Sequence, residues 1–134
     1  MTVFKKGLPL FLIGVSLITL LDSIGSIASR ELNFKYSYLF PLSLLIYVLI
    51  PFFITKRSDQ KNGIIFAALL GLFDATVGWK ISMILKANTG NSKNEASIFL
   101  WIVVAIIVTI FTTLLGVLSS WAALKIYKRK STNR

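Results

Sequence analysis

Two aspartates inside long apolar stretches constrain the fold of this chain more than any other feature. Four apolar stretches, each about as long as a membrane-spanning helix, fill most of the 134 residues. Asp22 lies in the first stretch and Asp74 in the third. A carboxylate at membrane depth costs about 2.5–3.5 kcal/mol on insertion scales, so it requires a partner, a proton or a functional role.

The amino-acid composition calls for lipid as the solvent of this chain. Apolar residues make up 55% of the sequence and charged residues 15%, which would leave a soluble protein of this size with more apolar surface than it can bury. We therefore predict an all-α bundle of four transmembrane helices in the cell membrane, with no soluble domain. The helices are expected over residues 8–28, 38–54, 64–85 and 97–124, with a basic cytoplasmic tail over 125–134.

The first apolar stretch follows two lysines, Lys5 and Lys6, as the apolar part of a signal peptide would. The run over residues 8–28 is longer than that part of a typical signal peptide. We therefore expect it to stay in the membrane as the first helix.

Lysine and arginine are distributed unevenly between the two ends of the predicted helices. Ten of the 15 basic residues lie on the side that holds both termini, and four lie on the other side. Because basic residues accumulate on the cytoplasmic side, both termini are predicted to be cytoplasmic. This distribution also accounts for the net charge of +10 without a nucleic-acid partner. The ten are Lys5, Lys6, Lys56, Arg57, Lys61, Lys125, Lys128, Arg129, Lys130 and Arg134; the four are Arg30, Lys35, Lys86 and Lys93.

Aromatic residues stand near the predicted boundaries of the helices, where amphipathic rings meet the headgroup region. They support the orientation predicted from the charges. The outer boundary has Tyr36, Tyr38 and Trp101, and the inner boundary has Trp121 and Tyr127.

The sequence lacks the residues on which most enzymatic sites depend. It contains no cysteine and no histidine, which removes thiolate nucleophiles, imidazole bases and the usual zinc and haem ligands. It also has no nucleotide-binding glycine pattern and no paired catalytic carboxylate motif. We therefore expect no metal and no cofactor, and we predict that the protein is not an enzyme.

A weak internal similarity relates the first and third predicted helices. A shift of 52 positions brings Asp22 onto Asp74 in similar apolar surroundings. Such a match indicates a parallel duplication of a two-helix hairpin, although apolar helices also match one another by chance. The aligned residues are Leu17, Ile18, Leu20, Leu21, Asp22 and Ser23 on Leu69, Leu70, Leu72, Phe73, Asp74 and Ala75.

Small residues at helical spacing predict where the helices pack most closely. Such residues let two helix backbones approach each other in a membrane. Gly25 beside Asp22, and Gly116 in the fourth helix, are expected to act in this way. The third helix carries a whole face of this kind, made of Ala67, Gly71, Asp74, Gly78 and Ser82.

Three charged residues within the predicted helices are candidates for binding an ion or a substrate. Asp22 and Lys80 are at similar depth, so an ion pair between them is expected; in the alternative, Lys80 extends outward to the interface. Asp74 then has only hydroxyl partners, and burial beside neutral donors favours a protonated carboxyl group. Asp74 is therefore the predicted proton acceptor. Its candidate partners are Tyr47 and Ser43 in the second helix, and Thr109, Thr112, Thr113 and Ser120 in the fourth.

Two classes of function fit these observations. The first is a small transporter or channel-like protein in which Asp74, helped by Asp22 and Lys80, binds a proton, a cation or a cationic solute. The second is a non-catalytic membrane subunit or scaffold that packs against a partner protein or lipid through its small-residue faces. Because four helices enclose little space, a homo-oligomer or a larger membrane complex is expected in either case. A cavity that reaches Asp74 would favour transport, which we prefer.

The predicted orientation can be tested with reporters fused to either end of the chain. The excess of lysine and arginine on the side of the termini should retain both ends in the cytoplasm. Phosphatase and fluorescent-protein fusions at each terminus measure this directly. An extracytoplasmic signal from either end would show that the charge argument is wrong.

Overall fold

Four helical spans make up the structure, a computed structural model that describes residues 2–90 and 97–132. Each span is long and apolar enough to cross a membrane, and the described residues contain no strand. The predicted all-helical architecture with four membrane-spanning helices is therefore confirmed. The spans are Phe4–Glu31, Tyr36–Arg57, Gln60–Ile84 and Ile98–Ile126.

The helices themselves differ in regularity. Helix α1 (Thr2–Glu31) is continuous, and α2 (Phe40–Arg57) follows a short 3₁₀ turn, Tyr36–Leu39. The third span (Gln60–Ile84) has three parts: α3 (Gln60–Phe73), a π-helical turn (Asp74–Gly78) and α4 (Trp79–Ile84). Helix α5 (Ile98–Thr132) completes the bundle.

Two predicted helix ends are wrong. Helix α2 continues past the buried Pro51 to Arg57 instead of ending near Ile54, since one missing amide is tolerated where the surrounding helices pack around it. Helix α5 continues through the basic segment to Thr132 instead of ending at residue 124. Lysine and arginine are good helix formers, and at a C-terminus they complement the helix dipole. The predicted outer residue Lys93 and the terminal Arg134 lie outside the described residues.

The second and third spans occupy the middle of the bundle. Helix α1 and helix α5 each pack against both of them, and the described residues of α1 and α5 are not in contact with each other. Many large apolar side chains face outward, including Ile24, Leu45 and Ile107, as a lipid-facing surface requires. The core is formed by Ile18, Tyr47, Ile50, Ile54, Phe66 and Leu70.

Small residues form a close seam between α3 and α5. A Cβ on Gly71 would overlap the side chain of Thr112, and a Cβ on Gly116 would overlap the methyl group of Ala67. One turn further along, Gly63 lies against Ser120. The small-residue faces of these two helices are therefore used for packing within the chain.

Hydrogen bonds join the two connections at one end of the bundle. We refer to this end, formed by residues 32–35 and 85–90, as the loop end. The Tyr36 amide donates to the Asn88 carbonyl at 2.8 Å, and the Asn88 amide donates to Ser29 Oγ at 3.1 Å. Arg30 also donates to the Leu85 carbonyl at 3.2 Å. These bonds fix the start of the 3₁₀ turn, and hence Tyr36, against the ends of α1 and α4.

The seam can be tested by moving one methyl group from α3 to α5. Gly116→Ala adds a methyl where that of Ala67 already lies, and it should lower the free energy of unfolding by about 1–3 kcal/mol. Adding Ala67→Gly leaves a single methyl in the contact and should recover most of this loss. Thermal unfolding in detergent measures both variants. If Gly116→Ala alone leaves stability unchanged, the seam is not closely packed.

Candidate functional site

The carboxyl groups of Asp22 and Asp74 converge on one glycine. Asp22 projects from α1 and Asp74 from the start of the π-helical turn, and both reach Gly78 at the end of that turn. A Cβ on Gly78 would overlap Oδ2 of Asp22 and Oδ1 of Asp74. Only glycine leaves the space in which these two carboxyl groups meet.

Each carboxyl group is held by a tyrosine. The Tyr36 hydroxyl donates to Oδ1 of Asp22 at 2.6 Å, and the Tyr47 hydroxyl donates to Oδ2 of Asp74. The remaining oxygen of each aspartate is the one that lies against Gly78 and faces the other carboxyl group. The four side chains therefore form a chain of polar groups that runs from Tyr36 through both aspartates to Tyr47.

A proton shared between the two aspartates is consistent with this geometry. Oδ2 of Asp22 is buried and has no hydrogen-bond donor. The two carboxyl groups are close enough to hydrogen-bond each other when one of them carries a proton. Two like charges in one buried site disfavour each other, so a single proton relieves the repulsion and also gives Oδ2 its partner.

No basic side chain balances the pair within the described part of the chain. The ion pair found there joins Arg30 to Glu31 at 2.9 Å, and both side chains are exposed at the loop end. Lys80 is exposed and lines a different cavity, between two tryptophans. The charge on the pair must therefore be balanced by protons or by a bound cation.

The π-helical turn places Asp74 and Gly78 at the same site. Such turns are rare, and they are frequent at functional sites. The Asp74 amide bonds to the carbonyls of both Gly71 and Leu70, where the backbone changes from α to π geometry.

The depth of Asp74 follows from its distance to Ile84, where the third span ends. At about 1.5 Å per residue, Asp74 lies about 15 Å from Ile84 along the helix axis. This distance is half the thickness of the hydrocarbon core, which is about 30 Å.

The pair faces a cavity of about 570 Å³ that extends toward the loop end. Ser37 and Thr89, both exposed, line its outer part, while Asp74 and Tyr47 lie at its inner part. The side toward α5 is apolar. The full lining is Asp22, Tyr36, Ser37, Leu39, Phe40, Ser43, Tyr47, Asp74, Ala75, Gly78, Trp79, Ser82, Thr89, Val104, Val108 and Phe111.

The predicted ion pair between Asp22 and Lys80 is wrong. Asp22 bonds to Tyr36 and faces Asp74, whereas Lys80 points into the cavity lined by Trp79 and Trp101. Similar depth did not suffice, because Asp22 of α1 meets the face of the third span that carries Asp74 and Gly78, whereas Lys80 lies on a different face of that span. The alternative expectation, in which Lys80 extends outward, agrees with its exposure.

The hydroxyl partners predicted for Asp74 are only partly found. Tyr47 is bonded to Asp74, and Ser43 lines the same cavity. Thr109 and Thr113 lie elsewhere: their hydroxyls donate to the backbone of α5 itself, at the carbonyls of Ala105 and Thr109. A threonine in a helix can satisfy its hydroxyl on the preceding turn, so it needs no partner on another helix.

Tyr36 and Ser82 belong to the site, although Tyr36 was not predicted there and Ser82 was predicted on the face of Asp74 only as a packing residue. Tyr36 was predicted to be an interfacial aromatic, but its ring turns inward and its hydroxyl reaches both Asp22 and the hydroxyl of Ser82. Gly25 is the sequence feature that indicates the inward position of Tyr36, because it leaves room for the ring beside α1. A Cβ at position 25 would come within 3.3 Å of the Tyr36 ring. Gly25 therefore packs against the segment that carries Tyr36.

Comparison with known proteins finds no relative: no family model, no curated protein and no solved structure is significantly similar to this chain.

The bond between Tyr36 and Asp22 can be tested by removing one hydroxyl group. Tyr36→Phe leaves a buried carboxyl group without its donor and should lower the free energy of unfolding by about 1–3 kcal/mol. Tyr38→Phe is the matched control, because Tyr38 is 69% exposed and its hydroxyl should contribute less than about 0.5 kcal/mol. Unfolding in detergent compares the two variants. Equal effects would show that the inward orientation of Tyr36 is wrong.

Proposed function

We propose that this protein moves cations across a membrane in exchange for protons, and that the pair formed by Asp22 and Asp74 binds both. The observation that carries the proposal is the pair itself: two carboxyl groups from different helices, at membrane depth, facing a cavity without a basic partner among its described lining residues. Intramembrane carboxyl groups at such positions are characteristic of ion pathways and proton relays.

Exchange follows from the charge of the site. Without a cation, the pair is stabilised by protons, because two neighbouring carboxylates repel each other in a medium of low dielectric constant. A bound cation supplies the same stabilisation, so it favours release of a proton. Proton and cation therefore compete for one site, which is the requirement for coupling their movements.

The groups that face the pair leave its charge uncompensated on every side. The 3₁₀ turn and α2 present the hydroxyls of Tyr36 and Tyr47, and α4 presents that of Ser82. Helix α5 presents only apolar side chains to the cavity. The pH dependence of binding is therefore attributed to the two aspartates.

The packed core explains why movement through the bundle requires a conformational change. On the side away from the loop end, Ile18 and Leu70 lie one turn from Asp22 and Asp74 and are almost completely buried. Tyr47 belongs both to this core and to the site, since its hydroxyl bonds to Asp74. Proton release from the pair makes Asp74 a stronger acceptor of that bond, and we propose that the change is passed through Tyr47 to the core that closes the path.

The predicted orientation adds a direction to this proposal. With both termini cytoplasmic, the loop end and the cavity face the outside of the cell membrane. A duplicated hairpin would explain why the two aspartates arise at equivalent places in the first and third spans. A homo-oligomer remains the expected working unit, because four helices enclose little space.

We place the subunit hypothesis second because of where the small residues lie. Gly71 and Gly116 pack against α5 and α3, Gly25 packs against Leu39, and Gly78 packs against the aspartates. Each of these glycines thus contacts another part of the same chain, so the small-residue faces proposed to bind a partner are already in use. A subunit role would have to use lipid-facing surfaces instead.

The proposal predicts that Asp74→Asn abolishes exchange while preserving the fold. Asparagine keeps the shape of the side chain and its hydrogen bond to Tyr47, but it does not bind protons. Proteoliposomes that contain a pH-sensitive dye should show proton flux after addition of Na⁺, K⁺ or an organic ammonium ion. Asp74→Asn and Asp22→Asn should each lower this flux at least tenfold, toward that of empty vesicles.

Glu31→Gln is the matched control, because it removes an exposed carboxylate that pairs with Arg30 outside the cavity. This variant should retain the flux of the unaltered chain. Thermal unfolding separates loss of exchange from loss of structure. If no cation drives proton flux in the unaltered protein, or if Asp74→Asn leaves flux and its pH dependence intact, the exchange proposal is wrong.

A further inference from the structure

We infer that the cations bound at this site are organic monocations with bulky apolar or aromatic substituents. The inference rests on the proposed function, since it names the class of cation that the aspartate pair would exchange for a proton. It is carried by the shape of the cavity and by the division of its lining into an acidic side and an apolar side.

The size of the cavity exceeds what a metal cation requires. A dehydrated metal ion needs a close shell of several oxygen ligands, whereas the carboxyl groups here are gathered at Gly78, on one side of a cavity of about 570 Å³. That volume lies within the range of about 300–1,000 Å³ that is typical of sites for drug-sized molecules. A ligand that fills it must therefore extend well beyond its charged group.

The side of the cavity formed by α5 accepts apolar groups. Its lining consists of Val104, Val108 and Phe111, and none of these side chains can form a hydrogen bond. Five aromatic side chains line the cavity in all, and aromatic faces attract organic cations directly. The five are Tyr36, Phe40, Tyr47, Trp79 and Phe111.

The lining also selects against other classes of ligand. Lys80, the nearest basic residue of the third span, lines a separate cavity. An anionic group in the cavity of the aspartates would therefore meet only the two carboxyl groups and neutral side chains. A neutral apolar ligand would leave those carboxyl groups without a counter-charge. A cation with apolar substituents satisfies both sides of the cavity at once.

Two aromatic rings from different helices lie next to each other in the lining of the cavity. The rings of Phe40 and Phe111 lie 6.3 Å apart, one from α2 and one from α5. Both side chains line the cavity, and they are 51% and 40% exposed. An organic cation in the cavity can therefore contact both rings.

Equilibrium dialysis of the purified protein in detergent tests the inference with tetraphenylphosphonium as the probe. This monocation should bind, and triphenylphosphine oxide, a neutral molecule with similar rings, should bind at least tenfold more weakly. Tetramethylammonium carries the charge without the rings and should also bind at least tenfold more weakly. Because a proton competes with the cation, the affinity for tetraphenylphosphonium should rise by up to about tenfold per pH unit until the pair is deprotonated.

Two phenylalanines of α5 provide a matched comparison of variants. Phe111→Leu removes a ring from the wall of the cavity and should weaken tetraphenylphosphonium binding about two- to thirty-fold, the range expected for one cation–π contact. Phe99→Leu removes a ring that is 77% exposed and does not line the cavity, so binding should be unchanged. Thermal unfolding of both variants controls for damage to the fold.

The possible outcomes separate this inference from the proposal on which it rests. If Na⁺ or K⁺ drives proton flux while tetraphenylphosphonium does not bind, exchange stands and the organic-cation inference is wrong. If tetraphenylphosphonium binds with the expected dependence on Phe111 but no cation drives proton flux, the cavity is a binding site and exchange is wrong. Equal losses in Phe111→Leu and Phe99→Leu would also contradict the inference.

Discussion

The contact between two carboxyl groups at membrane depth determines how the rest of this bundle is arranged. Lipid offers no hydrogen bonds, so every polar group of Asp22 and Asp74 must be satisfied by the chain itself, by protons or by a cation in the cavity. Tyr36 and Tyr47 supply two of the bonds, and Gly78 supplies the space between the carboxyl groups. The inward turn of the 3₁₀ segment and the π-helical turn both serve to bring these groups together.

The sequence was sufficient to predict the helices but not the contacts between their polar residues. Apolar length identified all four spans, because the thickness of the membrane imposes it on any helix that crosses. The pairing of Asp22 with Lys80 was predicted from depth alone, and depth says nothing about which face of a helix a residue occupies. A π-helical turn adds a further rotation that regular helical spacing does not include. For this reason the convergence of the two aspartates on Gly78 could not be predicted.

Tyr47 links the stability of the bundle to the chemistry of the site. Its ring is 3% exposed and packs with Ile50 and Leu70 in the core, while its hydroxyl bonds to Asp74. A change in the protonation of Asp74 therefore acts directly on a core residue. Tyr36, by contrast, is tied through its backbone to Asn88 at the loop end. The two tyrosines thus connect the same carboxyl pair to opposite halves of the bundle.

The position of Tyr36 along the chain has a consequence for insertion into the membrane. During synthesis the first span emerges long before the third, so Asp22 must reside in the membrane for a time without Asp74. Its hydrogen-bond donor Tyr36 is only 14 residues away in sequence, and it becomes available as soon as the first hairpin forms. The first two spans therefore already contain one hydrogen-bond donor for Asp22, and the third span and the connection after it later bring Asp74 and the Asn88 carbonyl that holds the backbone of Tyr36.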